Sequence, residues 1–142
     1  MEKRKLSSIM VTGGAGFIGS NFIRYMFAQD DFKGRIINVD SLTYAGNLEN
    51  LADISEKYNE KRYFFEKADI TDRTSLDGIF SKYDIDTVVH FAAESHVDRS
   101  IENPGAFVIT NVVGTYTLLE SARQFWKDRS GVHFHHISTD EV

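Results

Sequence analysis

The sequence predicts an α/β protein with a doubly wound parallel sheet, and three observations support this prediction. Apolar runs of strand length alternate with longer segments whose apolar residues recur at helical spacing. The strand-like runs are apolar on both faces, as in a parallel sheet that helices cover on both sides. A glycine-rich turn follows the first strand. With right-handed crossovers, this pattern predicts the strand order 3-2-1-4-5.

Each strand is predicted from a short apolar run, and each helix from apolar residues at helical spacing. The predicted strands are Ser8–Thr12, Arg35–Val39, Arg62–Lys67, Thr87–Ala92 and Val132–Ser138. The predicted helices are Phe17–Ala28, Asn47–Tyr58, Asp72–Lys82 and a long helix from Asn103-Pro104 to about Lys127. Proline at a first helical position marks the start of the long helix.

Composition narrows the class of protein. The 142 residues, of which 42% are hydrophobic, suffice for one globular domain with a core. A net charge of −5 argues against nucleic-acid and anionic-membrane partners. The absence of cysteine excludes disulfides and thiolate metal sites, and no apolar run approaches the roughly 18 residues of a membrane span. We therefore expect a cytoplasmic protein.

The turn after the first strand reads "VTGGAGFIGS" and has the spacing G-x-x-G-x-x-G. In a strand-to-helix turn, Gly13 would permit the sharp bend, Gly16 would let a pyrophosphate approach the backbone, and Gly19 would let the helix pack against the sheet. The N–H groups of the helix N-terminus would then face the anion. From the pattern alone, a flexible glycine turn remains an alternative.

An acidic residue follows the second strand at the position where a dinucleotide site needs one. Asp40 comes 21 residues after Gly19 and would accept hydrogen bonds from the adenosine ribose. Its charge would repel a 2′-phosphate, and no Lys or Arg follows within several residues to neutralise one. NAD is therefore favoured over NADP. A simple turn role for Asp40 remains open.

Six stretches together resemble the extended short-chain dehydrogenase/reductase family: "VTGGAGFIG", "NVDSLTYAGN", "ADITD", "HFAAESHVDRSI", "TNVVGTYTLLE" and "HHISTDEV". Within that family, "LTYAGN" and "STDEV" resemble the nucleotide-sugar dehydratases. The resemblance implies a Rossmann-type domain, NAD as cofactor, dTDP-glucose as substrate, lyase activity and a homodimer. Rival interpretations are a nucleotide-sugar epimerase or another dehydratase on the same scaffold, and a non-catalytic NAD-sensing module.

The resemblance also implies roles for individual residues. The implied contacts to the cofactor, beyond the three glycines, are Phe17 and Ile18 at the pyrophosphate, Asp40, Ser41, Leu42 and Thr43 at the ribose, Asp69 and Ile70 at the adenine, and Phe91, Ala92, Ala93, Glu94 and Thr110 at the nicotinamide half. Ser95 and Thr139 would bind the sugar, and Thr139, Asp140 and Glu141 would be catalytic. From spacing alone, Asp140-Glu141 is equally an ordinary charged strand end.

A paired acid and base suits the implied reaction. Oxidation of the sugar at C4 acidifies the hydrogen on C5, which Glu141 would remove while a protonated Asp140 assists departure of the C6 hydroxyl. Neighbouring carboxyls suit these two roles because like charges close together cannot both ionise cheaply. An epimerase has no such elimination to perform.

The family's Tyr-x-x-x-Lys pair has one apparent match, Tyr63 to Lys67. We reject it because these residues lie in a predicted strand, where positions four apart are separated by about 13 Å. The chain also stops directly after a strand-like run. We therefore expect residues 1–142 to be an incomplete NAD-binding domain, truncated after the fifth strand. It would lack the Tyr/Lys helix and the sugar-nucleotide domain, and alone it would be inactive.

Four other features have simpler interpretations. His133, His135 and His136 lack a nearby third ligand on one face, so we predict no metal site. We expect His90 to be a hydrogen-bonded core residue and Asp98-Arg99 to be a local ion pair. The long helix has an apolar surface that is either buried in the core or forms a dimer face; it comprises Phe107, Val112, Val113, Tyr116, Leu119, Phe125 and Trp126.

Overall fold

The computed structural model describes residues 5–139 and confirms the predicted fold. Five parallel strands form one sheet in the order β3-β2-β1-β4-β5. The strands are β1 Ser8–Thr12, β2 Arg35–Asp40, β3 Tyr63–Lys67, β4 Thr87–His90 and β5 His133–His136. The helices are α1 Phe17–Ala28, α2 Ala52–Tyr58 after a 3₁₀ turn at Leu48–Leu51, α3 Arg73–Tyr83, α4 Val97–Glu102, α5 Pro104–Phe107, a π-helical segment Val108–Gly114, and α6 Thr115–Trp126.

Helices cover the sheet on both faces. On one face, Ile23 of α1 and Ile54 of α2 pack with Ile9 of β1 in a buried cluster. On the other face, Phe80 of α3 and Leu118 of α6 belong to a second buried cluster with residues of the central strands. Because side chains alternate along a strand, β1 contributes to both clusters and is completely buried. The described part of the chain is therefore doubly wound, as predicted.

Strand boundaries differ from the prediction where a pairing partner ends. β4 stops at His90 rather than Ala92, because His90 is paired with Thr12, the last residue of β1. β5 pairs residue by residue with β4, from Thr87 opposite His133 to His90 opposite His136, so it is shorter than the predicted Val132–Ser138. It is also an exposed edge strand, contrary to the expectation that helices cover every strand. β2 extends to Asp40, and β3 begins at Tyr63.

The prediction of one long helix from Asn103 was wrong in its details. The chain forms the short helix α5, passes through a π-helical segment and continues as α6. A separate helix, α4, precedes them and was not predicted. At the end of the π-helical segment, a Cβ on Gly114 would lie 2.7 Å from the Ile70 side chain. The backbone at Gly114 therefore approaches the loop after β3 closely. Among residues 5–139, no helix has the length and apolar composition to cross a membrane.

Candidate functional site

The predicted site residues converge on one edge of the sheet because all five strands run in the same direction. The glycine loop follows β1, and the loops with the other predicted contacts follow β2, β3 and β4. Phe17, Ile18 and Gly19 lie in the first turn of α1, and Thr110 lies in the π-helical segment. Thr139 lies beyond β5 and is exposed. Asp140 and Glu141 lie outside the described residues.

The glycine loop is folded tightly against its surroundings. Gly13 has a φ of +68°, and a Cβ there would lie 2.8 Å from the backbone nitrogen of Ala92. A Cβ on Gly19 would lie 2.8 Å from Gly14 Cα and against the Gly13 carbonyl, so α1 packs directly on the loop. Gly16 is less crowded, with 3.3 Å to the nearest atom. The bend at Gly13 is the one expected, whereas the close contacts of Gly19 are with the loop rather than with the sheet.

The N-terminus of α1 has features that suit an anion. Gly16 occupies the N-cap position without a side-chain hydrogen bond, and the first turn contains no acidic residue. Phe17 and Ile18 are 82% and 64% exposed there, although both are apolar. The backbone N–H groups of a helix N-terminus attract negative charge.

Asp40, at the end of β2, holds two loops of this edge through hydrogen bonds. Its carboxylate accepts hydrogen bonds from the backbone nitrogen of Ala15 at 3.0 Å and from that of Leu42 at 2.8 Å. Only 8% of the residue is exposed. Each carboxylate oxygen can accept a further hydrogen bond, so the two contacts leave Asp40 able to bind another donor. Asp40 therefore connects the glycine loop to the loop after β2.

His90 is buried, as expected, and connects β1, β4 and α6. Its Nδ1 lies 2.6 Å from Thr12 Oγ1, and its Nε2 lies 2.9 Å from Thr115 Oγ1. Thr12 Oγ1 also accepts from the Ala92 nitrogen at 3.3 Å. Burial, with a smaller contribution from the charge of nearby His136, lowers the pKa of His90 to about 4. The ring is therefore neutral at pH 7.

The loop after β4 is held by contacts that the sequence did not suggest. Asn111, in the π-helical segment, accepts from the Glu94 nitrogen and donates to the Glu94 carbonyl, each at 2.8 Å. Tyr44 Oη donates to Glu94 Oε2 at 3.1 Å. Arg99 lies over the Tyr44 ring, with its guanidinium carbon 3.7 Å from the centroid. The expected Asp98–Arg99 pair is not among the ion pairs found within residues 5–139.

Other predicted contacts lie in the loops after β2, β3 and β4 and differ in exposure. Asp69 accepts from the backbone nitrogen and the hydroxyl of Thr71, both at 2.8 Å. Ile70 is buried, whereas Thr43, Ala93 and Ser95 are exposed. Tyr63, from the rejected match, is buried in β3 and accepts from Asn38 Nδ2 at 3.0 Å.

The fold and this carboxyl edge define a Rossmann-type α/β domain. The model of the GDP-mannose 4,6 dehydratase family matches residues 10–142, and the chain belongs to that family. It is 53% identical over 139 residues to the dTDP-glucose 4,6-dehydratase of Shigella flexneri. That alignment covers 94% of this chain but only 37% of the relative, so the chain spans little more than a third of that protein's length.

Two solved structures show that the fold alone does not distinguish a dehydratase from an epimerase. The dTDP-glucose 4,6-dehydratase of Bacillus anthracis, solved in complex with NAD, superposes with a TM-score of 0.76 at 41% identity, covering 96% of this chain and 38% of that one. A UDP-glucose 4-epimerase of Stenotrophomonas maltophila with bound NAD superposes at 0.79 with 29% identity, covering the same shares. The backbone is thus common to both enzymes, and sequence identity favours the dehydratase.

Proposed function

We propose that the chain is the NAD-binding portion of a dTDP-glucose 4,6-dehydratase. The observation that carries this proposal is the carboxyl edge described above, on a fold that relatives of 41% and 29% identity use with NAD bound. The residues present fit a dinucleotide: the loop is glycine-lined, the α1 N-terminus has no acid in its first turn, and Asp40 lies at the end of β2. Domain limits of 1–142 are part of the proposal.

Each loop contributes a different contact. Gly16 with the N-terminus of α1, including Phe17 and Ile18, would receive the pyrophosphate, and Asp40 would accept from the ribose. The other cofactor contacts that we propose are Gly13, Gly19, Ser41, Leu42, Thr43, Asp69, Ile70, Phe91, Ala92, Ala93, Glu94 and Thr110. Ser95 and Thr139 would bind the sugar.

When bound, NAD would accept a hydride from C4 of the sugar and return it at C6. The C4 hydroxyl proton would pass to the tyrosine of the family's Tyr-x-x-x-Lys pair. Glu141 would take the C5 proton and return it to C5 when the hydride reaches C6, and Asp140 would protonate the C6 hydroxyl as it leaves as water. Thr139 would hold the sugar beside the two acids. The net reaction removes one water and leaves a 4-keto-6-deoxy sugar, so no external oxidant is needed.

The substrate and the reaction are tested together in the full-length protein. We expect dTDP-glucose to lose water and become the 4-keto-6-deoxy product, whereas GDP-mannose, offered in parallel, is not turned over. Inversion at C4 without loss of water would identify an epimerase instead. Binding of NAD without turnover of either sugar would favour the non-catalytic module. The isolated 142-residue chain should show no turnover.

The acid/base pair has its own test in the full-length protein. Glu141→Gln and Asp140→Asn should each lower turnover by about 10²- to 10⁴-fold while NAD affinity stays unchanged. Glu56→Gln changes an exposed glutamate of α2 and is the matched control. Normal turnover in Glu141→Gln would remove Glu141 from the mechanism.

We also propose that the protein forms a homodimer through the surface of α4 to α6. Apolar side chains there are 44–76% exposed: Val97, Ile101, Val108, Ile109, Val112, Val113, Tyr116 and Leu119. We call this set the apolar face. Contiguous exposed apolar surface of this kind is typical of protein interfaces. Sedimentation of the full-length protein should give a dimer, and a monomer at micromolar concentration would contradict the proposal.

A further inference from the structure

The loops after β2 and β4 are connected although their strands are not neighbours. β1 lies between β2 and β4 in the sheet. The hydrogen bond from Tyr44 Oη to Glu94 Oε2 joins the two loops at 3.1 Å. It therefore crosses the carboxyl end of β1, where the glycine loop lies.

The chain beside Tyr44 runs directly against the glycine loop. The backbone nitrogen of Asn47 donates to the Ala15 carbonyl at 3.1 Å, and the Asn50 side chain donates to the same carbonyl at 3.0 Å. The Ala45 carbonyl lies 4.0 Å from the Cβ position of Gly16. We call the space over the glycine loop, between the loops after β2 and β4, the crevice. Tyr44 lies on its β2 side and contacts Glu94 on its β4 side.

Contacts on each side hold the Tyr44–Glu94 pair. Arg99 of α4 covers the Tyr44 ring, and a cation over an aromatic face is attracted to it. Asn111 fixes both backbone groups of Glu94. Partial desolvation of the phenol, followed by its hydrogen bond to Glu94, raises the pKa of Tyr44, so the hydroxyl remains a donor at neutral pH. The pair is therefore better fixed than a lone exposed hydrogen bond.

We propose that Tyr44, Glu94 and Arg99 form a clasp across the crevice, which must open each time a dinucleotide enters or leaves. This inference rests on the proposed function, since it needs the dinucleotide to bind at the carboxyl edge. The Tyr44 hydroxyl and the Arg99 guanidinium are engaged within the clasp. They are therefore positioning residues, and we expect them to control passage of the dinucleotide rather than its affinity.

The test measures association and dissociation of NADH in the full-length protein by stopped-flow fluorescence. Tyr44→Phe removes the hydroxyl and keeps the ring under Arg99. Losing one hydrogen bond should raise both rate constants by about fivefold and leave the Kd within about twofold. Tyr25→Phe, at a tyrosine of α1 that is 61% exposed, is the matched control and should change neither rate.

A second pair of variants tests the cation. Arg99→Ala should raise both rate constants by about threefold, and Arg99→Lys, which keeps a cation near the ring, should restore most of the wild-type rates. Thermal unfolding of the apoprotein should differ between wild type and Tyr44→Phe by no more than the loss of one hydrogen bond allows, because the phenol is half-exposed.

Three results would overturn the inference. Rates in Tyr44→Phe that equal those in Tyr25→Phe would show that the clasp does not limit passage. A weaker Kd with unchanged association would make Tyr44 a direct contact to the dinucleotide. Absence of NADH binding in the wild type would refute the proposed function, and this inference with it, whereas the first two results leave that function standing.

Discussion

The glycine loop and the helical stretch between β4 and β5 differ in how closely their residues are packed. In the loop, a Cβ on Gly13, Gly14 or Gly19 would come within 2.8 Å of another atom or closer. In the helical stretch, the apolar face leaves Ile101 76% exposed and Val112 62% exposed. One region has no spare space, and the other has apolar side chains that nothing in residues 5–139 covers.

This difference in packing explains why the local sequence predicted the element boundaries correctly at the glycine loop and not in the helical stretch. Close backbone contacts leave the glycine loop one arrangement, so β1 ends at Thr12 and α1 starts at Phe17, as predicted. The helical stretch is constrained mainly on the side of Leu118, which packs into the core. Its other side tolerates a break between α4 and α5 and a π-helical segment. Four predictions examine this contrast, in order of expected size.

The largest effect is expected at Gly13, and Gly131 provides the matched control in the other region. Gly13→Ala forces an alanine to a φ of +68° and places its Cβ 2.8 Å from the Ala92 nitrogen. Gly131 has a φ of +74°, but among the described residues nothing lies within 4 Å of its Cβ position. We expect losses of unfolding free energy of about 3–4 kcal/mol for Gly13→Ala and about 1 kcal/mol for Gly131→Ala. Chemical denaturation measures both.

Equal losses in these two variants would mean that backbone strain, and not close packing, dominates at Gly13. The same two proteins should differ in NAD binding as well. Gly13→Ala should abolish it, because the loop must move away from Ala92, whereas Gly131→Ala should bind normally.

The next effect comes from His90, which bridges the two regions through Thr12 and Thr115. Its pKa is about 4 in the folded protein against a reference value of 6.5, so the unfolded chain binds the proton more readily. The stabilisation is complete above pH 6.5 and is lost as the pH falls towards 4. The total is about 3 kcal/mol. Urea unfolding at a series of pH values measures it.

His90→Asn removes the titrating group, so its unfolding free energy should fall less steeply below pH 6.5 than that of the wild type. His133→Asn, at an exposed position on β5, should keep the wild-type slope. If all three proteins have parallel pH profiles, His90 does not cause the acid sensitivity.

A smaller effect is expected at Asp40. An Asn side chain offers one oxygen and one NH₂ group, so Asp40→Asn leaves either the Ala15 or the Leu42 N–H without its acceptor. The cost should be about 1.5 kcal/mol of unfolding free energy, together with weaker NAD binding. Asp31→Asn, at an exposed position between α1 and β2, is the control. Unchanged stability in Asp40→Asn would show that these hydrogen bonds contribute little.

The sequence was most informative where one local signal determined one structure. Apolar runs and glycine spacing predicted the strand order, the glycine loop and the placement of Asp40. Contacts between distant residues had no local signal. Tyr44 and Glu94 are 50 positions apart, and nothing near Asn111 indicates that it holds the loop after β4. Side chains in these contacts are common polar types, and only the three-dimensional arrangement brings them together.

The same limit applies to the apolar helix surface. Apolar residues at helical spacing predicted a helix, but the pattern could not distinguish a face in the core from a face at an interface. The structure divides the predicted set. Phe125 and Trp126 are half-buried against the core, and Val112 and Tyr116 are exposed. Burial depends on which elements lie opposite, which the spacing of residues does not encode.

Adjacent leucines of α6 provide the most selective test, in which Leu118 is the reference and the effect at Leu119 on monomer stability is the smallest of the four. Leu118 is completely buried, whereas Leu119 is 44% exposed on the apolar face. Leu118→Ala should cost about 3 kcal/mol of unfolding free energy because it leaves a cavity in the core. Leu119→Ala should cost less than about 0.5 kcal/mol in the monomer. In the full-length protein, however, Leu119→Ala should weaken self-association, which sedimentation measures. A large loss of monomer stability in Leu119→Ala, with unchanged association, would mean that this face is covered within a single chain and is not a dimer interface.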